Sequence, residues 1–134
     1  MKWCSDYEIG VEPIDAQHRE LVRRAERLLA AVEQGDSAEV GRTLTFLRVY
    51  VVEHFGAEQA AMAASGYPLA DVHAEEHALF AHRLIALEAE HASAPASPWL
   101  ATKLTVELAS WLRQHILGLD RDLGRFLRGS ASGQ

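Results

Sequence analysis

Cysteine is nearly absent from the chain, and Cys4 is the only one among its 134 residues. A single cysteine excludes an intrachain disulfide and any thiolate metal cluster. Long apolar runs are missing as well, and none reaches the roughly 20 residues that a membrane-spanning helix needs. The first residues also lack the apolar core of a signal peptide, so we expect a cytoplasmic protein.

Basic segments are also lacking, since 13 Lys and Arg face 19 Asp and Glu and the formal net charge is −6. A surface of this sign repels phosphate backbones and anionic lipids, so we expect neither nucleic acid nor a membrane as a partner. Hydrophobic residues make up 49% of the chain and charged residues 24%, which is typical of a globular domain. We predict one domain over residues 1–134 and a monomer.

Apolar residues recur at helical spacing in four segments, which predicts an all-α fold. Residues 1–14 resemble an extended arm that ends at Pro13, and Asp15 is the predicted N-cap of the first helix, which ends near Gln34. The second helix is predicted to start at a Ser37 cap and to end near Gly66.

The third helix is predicted to begin within residues 69–72 and to end near His91. Ser97 followed by Pro98 indicates an N-cap and a first helical residue for the fourth helix. Short connections between four helices favour an antiparallel up-down-up-down bundle. The small, polar residues 129–134 are predicted to form a frayed tail.

Five histidines and two acids lie on the apolar stripes of these helices, at spacings typical of metal ligands. They are His18, His54, Glu58, His73, His77, His115 and Asp120. Residues four apart on a helix share one face, so both His54 with Glu58 and His73 with His77 would reach one ion. Burying two acids without partners is costly, and a pair of cations removes that cost. The seven residues predict a two-metal site in the bundle core.

The ligand types indicate which metals suit the site. Imidazole and carboxylate without sulfur favour iron, manganese, zinc or copper. Five imidazoles divided between two ions leave one ion with three and the other with two. The ion with fewer ligands keeps an open coordination position, where a small molecule binds.

His115 and Asp120 do not fit a regular helix, because five residues separate their side chains by about 140°. If both point at one site, the helix must widen locally. Gly118 lies between them, so we predict a π-type turn within residues 115–120. His82 and His91 have no such partners, and we interpret neither as a ligand.

The combined pattern resembles the hemerythrin family, and within it the single-domain bacteriohemerythrins, from Trp3 to about Phe126. The matching motifs are Tyr7-x-Ile-Gly-Val-x-x-Ile-Asp-x-Gln-His18, His54-Phe-x-x-Glu58 with Met62, Gly66-Tyr-Pro, His73-x-x-x-His77 and Trp111-Leu-x-x-His115-Ile-x-x-x-Asp120. Together these motifs are far more specific than any single pair of residues.

The resemblance implies a non-haem di-iron centre that binds O₂ reversibly, for storage, delivery or sensing, rather than an enzyme. His73, His77 and His115 would then hold one iron, and His18 with His54 would hold the five-coordinate iron that O₂ reaches. Glu58 and Asp120 would bridge the two ions beside an oxo or hydroxo group. Leu112 and its neighbour Trp111 would line the O₂ pocket.

Two positions depart from the family pattern. Gln59 stands where a second acid commonly follows the bridging glutamate, and Leu123 stands where many relatives carry a tyrosine. Neither residue is a predicted ligand, so the departures concern fine tuning of the pocket, such as the rate of autoxidation.

Other functions remain open alternatives. His73-Ala-Glu-Glu76-His77 fits the short H-x-x-E-H pattern of zinc peptidases, with Glu76 as general base. A di-iron oxidoreductase with peroxidase, nitric-oxide or ferroxidase activity is a second alternative. Such ferritin-like sites use two Glu-x-x-His motifs, and only Glu88-x-x-His91 fits here. A module that senses O₂ or iron is the third.

Overall fold

Helices account for most of the computed structural model, which describes residues 2–132, with side chains through Gly129. The helices in chain order are a 3₁₀ turn at Ser5–Tyr7, α1 at Glu12–Glu33, α2 at Ser37–Ser65, α3 at Ala70–Ser93, α4 at Pro98–His115, a π-helical segment at Ile116–Asp120 and α5 at Arg121–Ser132. No strand occurs between residues 2 and 132. The predicted all-α class is confirmed.

Four rods form the bundle, because α4, the π-helical segment and α5 follow one another without a break. Helix α1 packs against α2 and α4, and α3 packs against the same two helices, which closes the ring of four. The three connections are short, so neighbouring rods run antiparallel. None of the helices described between residues 2 and 132 is long and apolar enough to cross a bilayer.

Two apolar clusters fill the interior. The larger one, which we call the bundle core, comprises Leu21, Ala25, Leu28, Ala31, Val40, Leu44, Leu47, Val51, Phe55, Phe80, Leu84, Leu87, Leu104, Leu108 and Leu112. The smaller one, the arm cluster, comprises Ile9, Ile14, Met62, Tyr67 and Leu123. Leu123, one of the two departures noted in the sequence, is fully buried there.

Helix α1 begins earlier than predicted, so the predicted N-cap at Asp15 is wrong. Val11 is the N-cap, in an extended conformation, and Pro13 lies in the first turn, where its missing N–H costs nothing. The Asp15 carboxylate instead accepts hydrogen bonds from the backbone N–H of Ile9 at 2.8 Å and of Gly10 at 3.1 Å. Asp15 therefore fixes the arm to α1 from inside the helix.

The other helix ends agree closely with the predicted ones. Asp36, rather than Ser37, caps α2 by accepting a hydrogen bond from the Glu39 N–H at 3.1 Å, which is the same kind of cap one residue earlier. Gly66 ends α2 in the left-handed region at φ 66°. Ser97 Oγ caps α4 by accepting the Leu100 N–H at 3.2 Å.

The arm is held against α5 by a close backbone approach. A Cβ atom added at Gly124 would lie 2.5 Å from the Ile9 carbonyl oxygen, so only glycine fits there. Arg121 also donates a hydrogen bond to the Asp6 carbonyl at 2.7 Å. Helix α5 continues to Ser132, into the segment predicted to be frayed, and residues 133 and 134 lie outside the described residues.

Candidate metal centre

The structure brings all seven predicted ligands together in the interior. Every one is at most 6% exposed. Helix α1 supplies His18, α2 supplies His54 and Glu58, α3 supplies His73 and His77, and the fourth rod supplies His115 and Asp120. Each of the four rods therefore contributes to one common cluster, as the sequence predicted.

The predicted distortion of the fourth rod is confirmed. Residues Ile116–Asp120 form a π-helical segment immediately after His115. The wider turn returns Asp120 to the face of His115, with 3.1 Å between Nε2 and Oδ1. A Cβ added at Gly118 meets no atom within 4 Å, so the segment does not need this glycine for space.

Three imidazoles gather on one side of the cluster, and we call them the three-imidazole group: His73, His77 and His115. His73 Nε2 lies 3.0 Å from Asp120 Oδ1, and His77 Nε2 lies 3.0 Å from Glu58 Oε1. The Nε2 atoms of His77 and His115 are 3.1 Å apart. These three nitrogens and one oxygen from each acid face a common point.

The remaining two imidazoles form the two-imidazole group, His18 and His54. His18 Nε2 lies 3.0 Å from Asp120 Oδ2 and 3.3 Å from Glu58 Oε2. His54 Nε2 lies 3.1 Å from Glu58 Oε2. Each carboxylate thus turns one oxygen to each group, which is the arrangement of an acid that bridges two cations.

Several buried polar atoms of the cluster have no hydrogen-bond partner within the described residues. They are His54 Nε2, His73 Nε2, Glu58 Oε1 and both carboxylate oxygens of Asp120. Buried groups in native proteins are nearly always hydrogen-bonded, so such a concentration of unsatisfied atoms needs an explanation. Nitrogen and oxygen donors of this kind are metal ligands. The residues therefore fit a pair of cations.

Both acids are held in the ionised form. Burial raises the pKa of Glu58, but the surrounding imidazoles, those of His115 and His18 among them, outweigh it and hold the pKa well below its usual range. Burial and the charge of Glu58 raise the pKa of Asp120, but the close imidazole rings of His115 and His18 outweigh them and lower it. Two buried carboxylates are therefore available as anionic ligands.

The histidines carry the compensating protons in the metal-free cluster. Burial lowers the pKa of His18, but the close carboxylates of Asp120 and Glu58 outweigh it and raise the pKa to about 9. The same balance raises the pKa of His73 to about 9. A cation bound at the cluster would displace these protons, so metal uptake releases protons.

Two glutamines outside the predicted ligand set form hydrogen bonds with the outer nitrogen atoms of two histidine rings. Gln17 Oε1 lies 2.6 Å from His54 Nδ1, and Gln59 Oε1 lies 3.2 Å from His77 Nδ1. An amide oxygen that accepts the Nδ1–H leaves Nε2 free to bind a metal. Gln59, the departure from the family pattern, is thus the hydrogen-bond partner of a predicted ligand.

Aromatic rings stack on the three-imidazole group. Phe55 lies parallel to His77, with ring centroids 3.7 Å apart, and Trp111 lies parallel to His115 at 4.4 Å. Leu112 is 1% exposed and belongs to the bundle core. The predicted contact of Leu112 and Trp111 with O₂ stays a prediction.

The residues of the alternative motifs lie outside the cluster. Glu76 is half-buried and belongs to neither group of candidate ligands. Glu88 pairs with Arg48 and accepts a hydrogen bond from Thr45, so it is engaged on the surface. His82 is exposed, and His91 is buried against Gly41 of α2. As predicted, neither histidine joins the metal centre.

Comparison with known proteins gives a consistent result over nearly the whole chain. The model of the family described as Hemerythrin HHE cation binding domain matches residues 9–127. The Bacteriohemerythrin of Stenotrophomonas maltophilia is 29% identical over 119 residues, 89% of this chain and 76% of its own length. That of Pseudomonas aeruginosa is 27% identical over 130 residues, 97% of this chain and 83% of its own.

A third relative, the Bacteriohemerythrin of Clostridium acetobutylicum, is 25% identical over 124 residues, 90% of this chain and 95% of its own. The fold and the site define a class: all-α four-helix bundles with a buried cluster of histidines and acids that could hold metal ions. The chain belongs to the hemerythrin family.

Proposed function

We propose that the protein binds O₂ reversibly at two non-haem iron ions held in the bundle core. The observation that carries the proposal is the division of five imidazoles into groups of three and two, with each carboxylate facing both groups. When bound, the iron pair supplies the electrons that O₂ takes up and returns. The protein supplies ligands of unequal number to the two ions.

In this proposal, the unequal number of ligands in the two groups determines which ion binds O₂. His73, His77 and His115 with both acids offer five donor residues, whereas His18 and His54 with the same acids offer four. An ion held by the two-imidazole group would therefore keep an open position, where O₂ would bind. Glu58 and Asp120 would bridge the ions, beside an oxo or hydroxo group, and Leu112 would line the O₂ pocket with Trp111 as its neighbour.

The predominance of neutral imidazole ligands favours reversible binding of O₂ over oxidation chemistry. Five imidazoles and two carboxylates donate less negative charge than the four glutamates of ferritin-like oxidases, and they stabilise high-valent iron less. We therefore propose an oxygen-binding protein, for storage, delivery or sensing, and not an enzyme. We also propose a monomer located in the cytoplasm, which size-exclusion chromatography and cell fractionation test.

The test is an iron assay combined with visible spectra. We expect two irons per chain and an absorption band that appears with O₂ and disappears under vacuum over repeated cycles. His82→Ala is the matched control, because this exposed histidine lies outside the cluster. Protein that stays iron-free and colourless after purification from iron-replete cells would contradict the proposal, and steady turnover of a peroxidase dye would favour the oxidoreductase alternative.

A further inference from the structure

A groove between α3 and α4 reaches the outer edge of the aromatic stack. Its volume is about 440 Å³, and its walls include Leu79, Phe80, Val106 and Trp111. Arg83 of α3 and Glu107 of α4 form a two-contact ion pair beside it, at 2.8 and 2.9 Å. The groove is therefore a depression in the surface, and the ion pair that joins the two helices forms one of its edges.

The indole of Trp111 lies between two other rings. Its centroid is 3.6 Å from that of Phe80 with an interplanar angle of 6°, and 4.4 Å from that of His115 with an angle of 13°. Two parallel rings at these distances cannot share one face of the indole without overlapping. Phe80 and His115 therefore cover opposite faces, and the partly buried indole reaches the groove by its edge.

His115 is one of the proposed iron ligands, so a single ring contact separates the groove wall from the metal centre. Electron transfer through a protein depends steeply on distance, and it is faster through rings in contact than across a gap. The other ligand that stacks on an aromatic ring is His77, against Phe55. Those two rings line a second groove, between α2 and α3, and this groove provides an internal comparison.

We propose that electrons enter the metal centre at the groove between α3 and α4, with Trp111 coupling a one-electron outer-sphere donor to His115. The inference rests on the proposed di-iron function, in which only the ferrous pair takes up O₂ and a ferric pair must be reduced. In each step the donor loses one electron and one ferric ion becomes ferrous, so two donors restore one centre. No bond to Trp111 forms or breaks.

The experiment places the same photoreductant at each groove. In a Cys4→Ser background, which removes the only native thiol, a ruthenium polypyridyl label is attached to Val106→Cys or to Val52→Cys. Val106 lines the groove between α3 and α4 and is 60% exposed, whereas Val52 lines the groove between α2 and α3 and is 52% exposed. A flash in the presence of a sacrificial amine starts the reaction, and the loss of ferric absorption gives the rate.

We expect Trp111→Leu to slow reduction severalfold from the label at position 106 and to leave the rate from position 52 unchanged. Trp111→Phe, which keeps an aromatic ring, is expected to restore most of the rate. Trp99→Leu is the matched control, because Trp99 lies on the same helix and is 72% exposed.

An unchanged rate from position 106 in Trp111→Leu would overturn the inference. So would an equal slowing from both labels, because that result reports a changed metal centre rather than a lost route. The iron content of each variant is measured first. Iron-free wild-type protein would contradict the proposed function and the inference together, whereas iron-loaded protein with rates independent of Trp111 would contradict the inference alone.

Discussion

The two halves of the metal centre differ in what surrounds their imidazole rings. In the three-imidazole group, Phe55 and Trp111 lie parallel against His77 and His115. In the two-imidazole group, His18 and His54 meet edge to face at 4.7 Å, and no ring lies parallel against either of them within residues 2–132. One half is thus supported on its outer side by stacked rings, while the other has fewer ligands and no such support. Under the proposed function, we expect the first half to hold its metal rigidly and the second to exchange a small ligand.

The strongest test of this comparison removes a ligand that both halves share. Glu58→Gln keeps the size of the side chain and removes its charge, so neither ion keeps a complete ligand set. We expect iron to fall well below two per chain and the folded state to lose about 3–5 kcal/mol, as when one partner of a buried ion pair is removed. Iron assay and urea unfolding measure both. Full iron content in this variant would show that Glu58 is not a bridge.

The next test treats the halves separately, with His54→Ala in one and His77→Ala in the other. We expect His54→Ala to abolish O₂ binding and lower the melting temperature, because bound metal contributes to folding. We expect His77→Ala to retain the open position and some response to O₂ if any iron remains. Visible spectra with and without O₂ distinguish the two variants. An unchanged melting temperature in His54→Ala would contradict its role as a ligand.

The metal-free protein should lose stability on both sides of a pH window. His18 and His73 have their pKa raised from 6.5 to about 9, so the stability they contribute is fully present below 6.5 and is lost as the pH rises through about 9. The lowered pKa values of Glu58 and Asp120 give stability that is present above 4.5 and is lost as the pH falls below it.

We therefore expect metal-free protein to unfold at lower urea concentration at pH about 9.5 than at about 6. Metal replaces the protons on the imidazole rings, so the loss of stability at alkaline pH should be smaller after iron is added. Because each half contains one of the two histidines with a pKa of about 9, proton release should accompany filling of both. A metal-free protein whose stability is flat between these pH values would contradict this account of the cluster.

The smallest expected effect comes from the two outer glutamines, one for each half. Gln17→Ala and Gln59→Ala each remove the partner of one histidine Nδ1 atom. Loss of such a partner typically weakens metal binding about 10-fold to 100-fold. Competition with a chelator should show two irons of unequal affinity, the weaker one in the two-imidazole group for Gln17→Ala. Identical curves for both variants would remove this distinction between the halves.

Much of the fold and the predicted ligand set follows from local periodicity. Residues three, four or seven apart face the same way on any helix, so the pairs starting at His54 and His73 were visible in the sequence. The mismatch of His115 with Asp120 predicted the π-helical segment for the same reason. These inferences need no knowledge of how the helices pack.

What the sequence did not show depends on contacts between distant segments. Gln17 and Gln59 follow no periodic pattern of their own, and their role appears only when a histidine of another helix lies beside them. Asp15 resembles a helix cap in the sequence, and only the path of the arm reveals that it holds the backbone of Ile9 and Gly10. The position of Trp111 between two rings likewise requires the packing of α3 against α4.

The π-helical segment makes the register of the last rod depend on a single inserted residue. Straightening this segment into a regular α-helix of the same length would turn everything after it by about 100° relative to His115, whereas deleting one residue within 117–119 would leave the histidine and the aspartate four apart, on one face of a regular helix. With all its residues present, the last rod keeps Asp120 on the face of His115 only through the wider turn, and Leu123, which closes the arm cluster, depends on the same register. Ligand geometry and closure of this end of the protein are therefore expected to tolerate the loss of one residue here better than a change that straightens the segment at full length.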